Sequence, residues 1–302
     1  MKIKNRAYNK VKSSVFFCGE SEETCSATLS RSSSHKSAYS QKYIKKTGLI
    51  ACNWCTNTSL NRILKVFGLG LFFCYNKIMN AKTKEIIELL VKELCKKRKF
   101  DFKIEIHYSE DINKDILKYL SREKTINYYK QQDFSKFNGV ALPFENKGYH
   151  IVINLKRFSE ITTIIHETTH IIDYYEFRNI YNNGNIDIEN HPYYWAFSIY
   201  SEFNSRFAAH KFYLNLDNSN AKDFEIEELT NIINNLYSLK GDLLNKDDYY
   251  NLMQYLGRWY SIENICKTHF SLPHYYNIYT LLINYLNNKS ETSLVLLSSY
   301  LN

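Results

Sequence analysis

The chain has 302 residues, is 44% hydrophobic and 16% aromatic, and carries 39 basic against 31 acidic side chains for a net charge of +8. Nine glycines and three prolines exclude a collagen-like or proline-rich chain, and no run of apolar residues is long and uncharged enough to mark a membrane span. The basic excess lies in residues 1–80, which hold 13 basic and 3 acidic groups and leave 26 and 28 to the rest, so a nucleic-acid surface spread over the main body is disfavoured.

The first quarter also holds five of the seven cysteines (Cys18, Cys25, Cys52, Cys55, Cys74). Cys52-Asn-Trp-Cys55 is a lone CxxC without a second pair, which is weak evidence for zinc. Cys95 and Cys266 alone make no disulfide framework in the body, so a reducing compartment, the cytoplasm, is expected. Val15 to Cys18 is too short for a signal-peptide core, and the apolar run Ile63 to Tyr75 is interrupted by Lys65. That run reads as a buried segment or an interfacial helix, which leaves membrane association of the leader as one role for it. Composition changes near Met79. The expected organisation is therefore a poorly ordered basic leader over 1–78 standing outside the folded protein, a folded domain over 79–215, and a helical C-terminal lobe over 216–302.

Within the body, Ile86, Ile87, Leu90, Val91 and Leu94 recur at helical spacing and predict a helix over 82–98. Residues 101–108 alternate Phe102, Ile104 and Ile106 with polar neighbours and predict a half-buried strand. Asp111 can cap a short helix reaching Leu120. Two extended stretches, 139–144 and 149–155, flank Glu145-Asn146-Lys147-Gly148 and predict a hairpin. From Ser159 the isoleucines 161, 164, 165, 171 and 172 mark one face of a helix reaching about Phe177. Asn182-Asn183-Gly184-Asn185 breaks the chain, Pro192 suits the start of a helix through about Phe212, and three or four helices fill 222–302. Strands confined to the first part and helices to the rest predict an α+β fold.

The helix over 159–177 contains His166-Glu167-Thr168-Thr169-His170. Residues four apart on a helix lie one turn apart on nearly the same face, so both imidazoles can reach one ion and Glu167 can reach water beside it. The plain alternative is a pair of helix-face histidines with a neighbouring glutamate. A tetrahedral ion needs a third protein ligand from elsewhere. Glu176, six residues beyond His170, would rotate away on a continuing helix. Glu202 lies 32 residues beyond His170, inside a helix rich in aromatics (Trp195, Phe197, Tyr200, Phe203, Phe207), where an uncompensated carboxylate is costly. Zinc would compensate it, as would an ion pair with Arg206 one turn on. His210 is a fallback ligand. Asp173 falls one turn after His170 and suits either an orienting carboxylate for a ligand imidazole or a solvated helix-face aspartate.

His166–His170 with a distant helical Glu202, preceded by the 149–155 strand, resembles the gluzincin branch of the zincin metallopeptidases. The stretch Glu202 to Ala209 is loosely similar to the third-ligand helix of small zinc peptidases encoded with phage and mobile-element repressors, although Thr168-Thr169 replace the Ile-Gly usual there. The resemblance implies a zincin-like catalytic domain that hydrolyses peptide bonds as an endopeptidase. It implies Zn2+ held by His166, His170 and Glu202, Glu167 as general base, and a protein or peptide substrate paired along an edge strand at 149–155. An oxyanion donor is also implied, for which Tyr193, Tyr194, His191 and His210 are all suitable. The alternative is a non-catalytic binding or regulatory protein that keeps the zincin fold around a structural zinc.

Overall fold

The computed structural model describes residues 81–145, 148–157, 161–216 and 221–301; the basic leader and its CxxC lie outside them. The chain is α+β, with a small three-stranded sheet early and helices after it. Helix α1 (Ala81–Lys97) is followed by β1 (Ile104–Ser109), α2 (Ile112–Ile116), α3 (Glu123–Tyr129), β2 (Gly139–Glu145) and β3 (Gly148–Asn154). Then come α4 (Thr162–Tyr181), a 3-10 turn at Ile188–Asn190, and five more helices. These are α5 (Tyr194–Leu216), α6 (Ala221–Lys240), α7 (Lys246–Cys266), α8 (Tyr276–Asn287) and α9 (Glu291–Leu301).

Local chemistry accounts for most boundaries. Asp111 Oδ1 accepts from the Lys114 amide at 3.3 Å and caps α2, which ends at Ile116, a turn short of Leu120. Asn183 and Gly184 both adopt positive φ (48° and 78°) and terminate α4, with the Gly184 amide donating to the Arg178 carbonyl. Asn245 and Asp248 form a reciprocal capping box at the start of α7. β1 starts at Ile104 rather than Asp101, and Phe102, expected on the buried face, is half exposed.

The strand order is β1-β3-β2, with β3 parallel to β1 and antiparallel to β2. This corrects one expectation. The 149–155 stretch is the central strand, with both backbone edges paired, so it offers no edge to a substrate; β1 and β2 are the edges among the described residues. The two sheet faces are buried separately. Ala141, Tyr149, Ile151 and Ile153 join α1 and α4 in the main core, whereas Val140, Leu142 and Val152 pack with Ile112, Ile116 and Phe134.

The main core runs without interruption from Ile86 in α1 to Leu297 in α9. The C-terminal helices share this core: α7 lies along α5, and α8 and α9 also touch α5. Helix α5 is thus packed against α4 on one side and the C-terminal helices on others, which explains why Phe197, Tyr200 and Phe203 are fully buried. Among the described residues no helix is long and apolar enough to cross a membrane.

Candidate metal centre

Helix α4 is apolar on one side and polar on the other, and both sides are covered. Every residue from His166 to Tyr174 is buried, because the isoleucine face meets the sheet and α1 while α5 crosses the polar face. That crossing brings Glu202 of α5 to the two histidines of α4. Glu202 Oε1 is 3.4 Å from His166 Nε2, Oε2 is 3.4 Å from His170 Nε2, and the two Nε2 atoms are 2.9 Å apart. Atoms held about 2.0–2.1 Å from one zinc ion at tetrahedral angles lie about 3.3–3.4 Å from each other. Two edges of the triangle match that spacing, and the third is a hydrogen-bond length.

The donors are also starved of other partners. His166 Nδ1, Glu202 Oε2 and both carboxylate oxygens of Glu167 are buried without a well-formed hydrogen bond, the Ala141 backbone lying near Glu167 without closing one. All four side chains are at most 1% exposed. Burying carboxylates without compensation costs several kcal/mol, roughly the range for an unpaired buried charge, and a divalent cation supplies the compensation. The residues therefore fit a metal ion. Burial, then His170 and Arg206, hold the His166 imidazole well below its ordinary pKa, in the neutral form that ligates. Glu167 is pushed well above the ordinary carboxylate range, first by burial and then by the facing Glu202, against the weaker pull of the Ala141 backbone and Arg206.

Three residues not anticipated from sequence complete the surroundings. Ser201 Oγ sits 2.9 Å from His170 Nδ1 and 3.5 Å from Asp173 Oδ2. Asn204 Nδ2 donates to the same Asp173 oxygen at 2.7 Å. From α7, the Gln254 amide donates to Glu202 Oε1 and accepts from Arg206 Nε, so Gln254 stands between Glu202 and Arg206. Asp173 thus reaches the histidine through a serine and is not a solvated helix-face residue. Ser201 adjoins Glu202 in sequence, but Gln254 is 52 residues away, and only the α5–α7 packing reveals it. Tyr250, one turn before Gln254, has its phenol pushed well above its ordinary value by burial, then by Tyr194 and Glu202.

Two other candidate ligands are engaged elsewhere. Glu176 pairs with Arg98 at 3.1 Å and with Lys289. His210 is bound to Glu225 at 2.7 Å and to Ser261, so it is not a ligand of this centre. Among the proposed oxyanion donors, Tyr194 is buried against the Tyr174 and Phe197 rings, and His191 lies edge-on to Phe177 and Tyr193. Compared with protein-family models, curated proteins and solved structures, the chain matches none.

Proposed function

We propose that the chain is a zinc-dependent endopeptidase of the zincin type, with His166, His170 and Glu202 as metal ligands and Glu167 as general base. The observation that carries this reading is the convergence of Glu202 on both histidines with the unpaired Glu167 carboxylate beside them. A bound zinc ion supplies Lewis acidity, which brings water ionisation toward neutral pH and polarises a scissile carbonyl. Glu167 takes a proton from the attacking water and delivers it to the leaving amine. Ser201 and Asp173 fix the orientation of His170.

The substrate strand moves from β3 to β2 in this reading. β2 is an edge strand, and Gly139 brings it onto α4 so closely that a Cβ there would lie 3.1 Å from Thr163 and 3.4 Å from Glu167. An extended peptide paired to β2 would run beside Glu167.

One observation favours a second reading. His166, Glu167, His170 and Glu202 are wholly enclosed, as the ligands of a structural zinc would be. The two readings part at Glu167, since a structural site gains nothing from a base. The test is zinc content and hydrolysis of an unstructured peptide library measured on the same preparations of wild type and Glu167→Gln. The peptidase reading expects equal zinc and a loss of activity of about 10²–10⁴-fold. Wild-type protein that is zinc-replete but cleaves nothing would establish the structural reading instead.

A further inference from the structure

On the far side of the sheet from α4, a second set of ligand-bearing side chains comes together. β1 and β3 are parallel with Glu105 opposite His150. Residues two apart on a strand share a face, so Glu105 and His107 of β1 stand beside His150. The face is the one that carries Val152 and Leu142, away from the centre described above. The three ligand atoms all lie within 4.8 Å of one another. His107 Nε2 is 3.0 Å from His150 Nδ1, which is 3.6 Å from Glu105 Oε2. These two edges bracket the spacing of about 3.3–3.4 Å expected around a tetrahedral zinc ion.

The surroundings suit an ion held between two strands. The Tyr119 ring stacks on His107 with centroids 3.8 Å apart and planes 16° apart, and it also faces His150 at 5.6 Å. That ring fixes the imidazoles from one side, while Glu105, 48% exposed, leaves the other side open to solvent and ion entry. Two imidazoles and a carboxylate form a nitrogen-rich donor set that selects zinc, nickel or copper over calcium or magnesium.

We propose that Glu105, His107 and His150 form a second divalent transition-metal site, one that pins β1 to β3. The proposal does not depend on the centre at α4. Its plain competitor is an N–H···N hydrogen bond between the two imidazoles with a carboxylate near by.

The experiment is equilibrium dialysis of the full chain against Zn2+, with ions counted per chain, in wild type, His107→Gln, Glu105→Gln, Glu202→Ala and Glu202→Ala/His107→Gln. Comparison between chains cancels any ion held by Cys52 and Cys55. The expected result is loss of one ion on His107→Gln in either background, with at least tenfold weaker binding at that site in Glu105→Gln. Glu105 is on the solvent side, so its substitution tests the site without threatening the fold. Equal zinc content and affinity in wild type, His107→Gln and Glu105→Gln would overturn the proposal. Loss on His107→Gln without loss on Glu202→Ala would keep this site and reject the α4 centre; the reverse pattern would reject this site alone.

Discussion

Ser201 hydrogen-bonds on both sides, and its chemistry fixes a proton. Asp173 already accepts from Asn204 and Arg98, and as a carboxylate it accepts from Ser201 as well. With the hydroxyl proton directed at Asp173, Ser201 Oγ must accept from His170 Nδ1–H, which leaves the Nε2 lone pair aimed at the centre. Ser201→Ala removes that orientation and is expected to weaken zinc affinity about 10–100-fold with the fold intact, whereas Ser201→Thr keeps the hydroxyl and most of the affinity. Chelator-competition titration of both variants measures this; equal affinities for Ser201→Ala and wild type would show that the hydroxyl has no orienting role. His166 has no corresponding hydrogen bond at Nδ1, so the two imidazoles are held unequally.

At the scale of elements, the site depends on how closely α7 approaches α5. A Cβ on Gly257 would lie 2.7 Å from the Phe203 carbonyl oxygen, 2.9 Å from Arg206 Cβ and 3.0 Å from the Phe207 amide, so only glycine permits this crossing. In an exposed helix Gly→Ala stabilises by about 1 kcal/mol. Here the clash with backbone reverses the sign: Gly257→Ala is expected to destabilise by about 1–3 kcal/mol and to lift Gln254 from Glu202, lowering zinc affinity together with the unfolding midpoint. Denaturant titration with and without zinc measures both effects. These elements also show what the sequence could and could not convey. The periods of α1, α4 and α5 were legible because each has an isoleucine, leucine or aromatic stripe, and HExxH because helix geometry alone brings its histidines together. Glu202 was legible as a carboxylate in a helix otherwise too apolar for it. The strand order was not, since β3 is buried on both faces and its alternation gives no sign of which neighbours pair with it. Helix α3 carries only seven residues and no stripe, and Gln254 has no local signal at all.

Across the whole molecule, Asp173 is a junction. Its wholly buried carboxylate receives Arg98 from the end of α1 at 3.1 Å, Lys289 from the α8–α9 connection at 3.3 Å and Asn204 from α5 at 2.7 Å. Glu176 shares both cations, so Asp173→Ala leaves them partly paired. Removing the buried partner is expected to cost about 3 kcal/mol, a fall in midpoint of about 6–12 °C for a folded body of this size. Thermal unfolding of the metal-free protein measures it without interference from zinc. In the proposed reading a bound metal couples to the same cooperative unit, because the core is continuous from α1 to α9. Free zinc at a thousand times its dissociation constant is expected to stabilise by about 4 kcal/mol, raising the midpoint by about 8–16 °C, and chelator should reverse the shift.

Zinc K-edge absorption on the chain carrying His107→Gln, Cys52→Ser and Cys55→Ser tests the central claim most directly, since it reads the ligands of the ion with the second site and the CxxC disabled. The account predicts a first shell of nitrogen and oxygen only, at about 2.0–2.1 Å, with outer-shell scattering from two imidazoles. A sulfur shell at about 2.3 Å would place the ion on cysteine instead, and a spectrum without imidazole scattering would contradict the assignment of His166, His170 and Glu202.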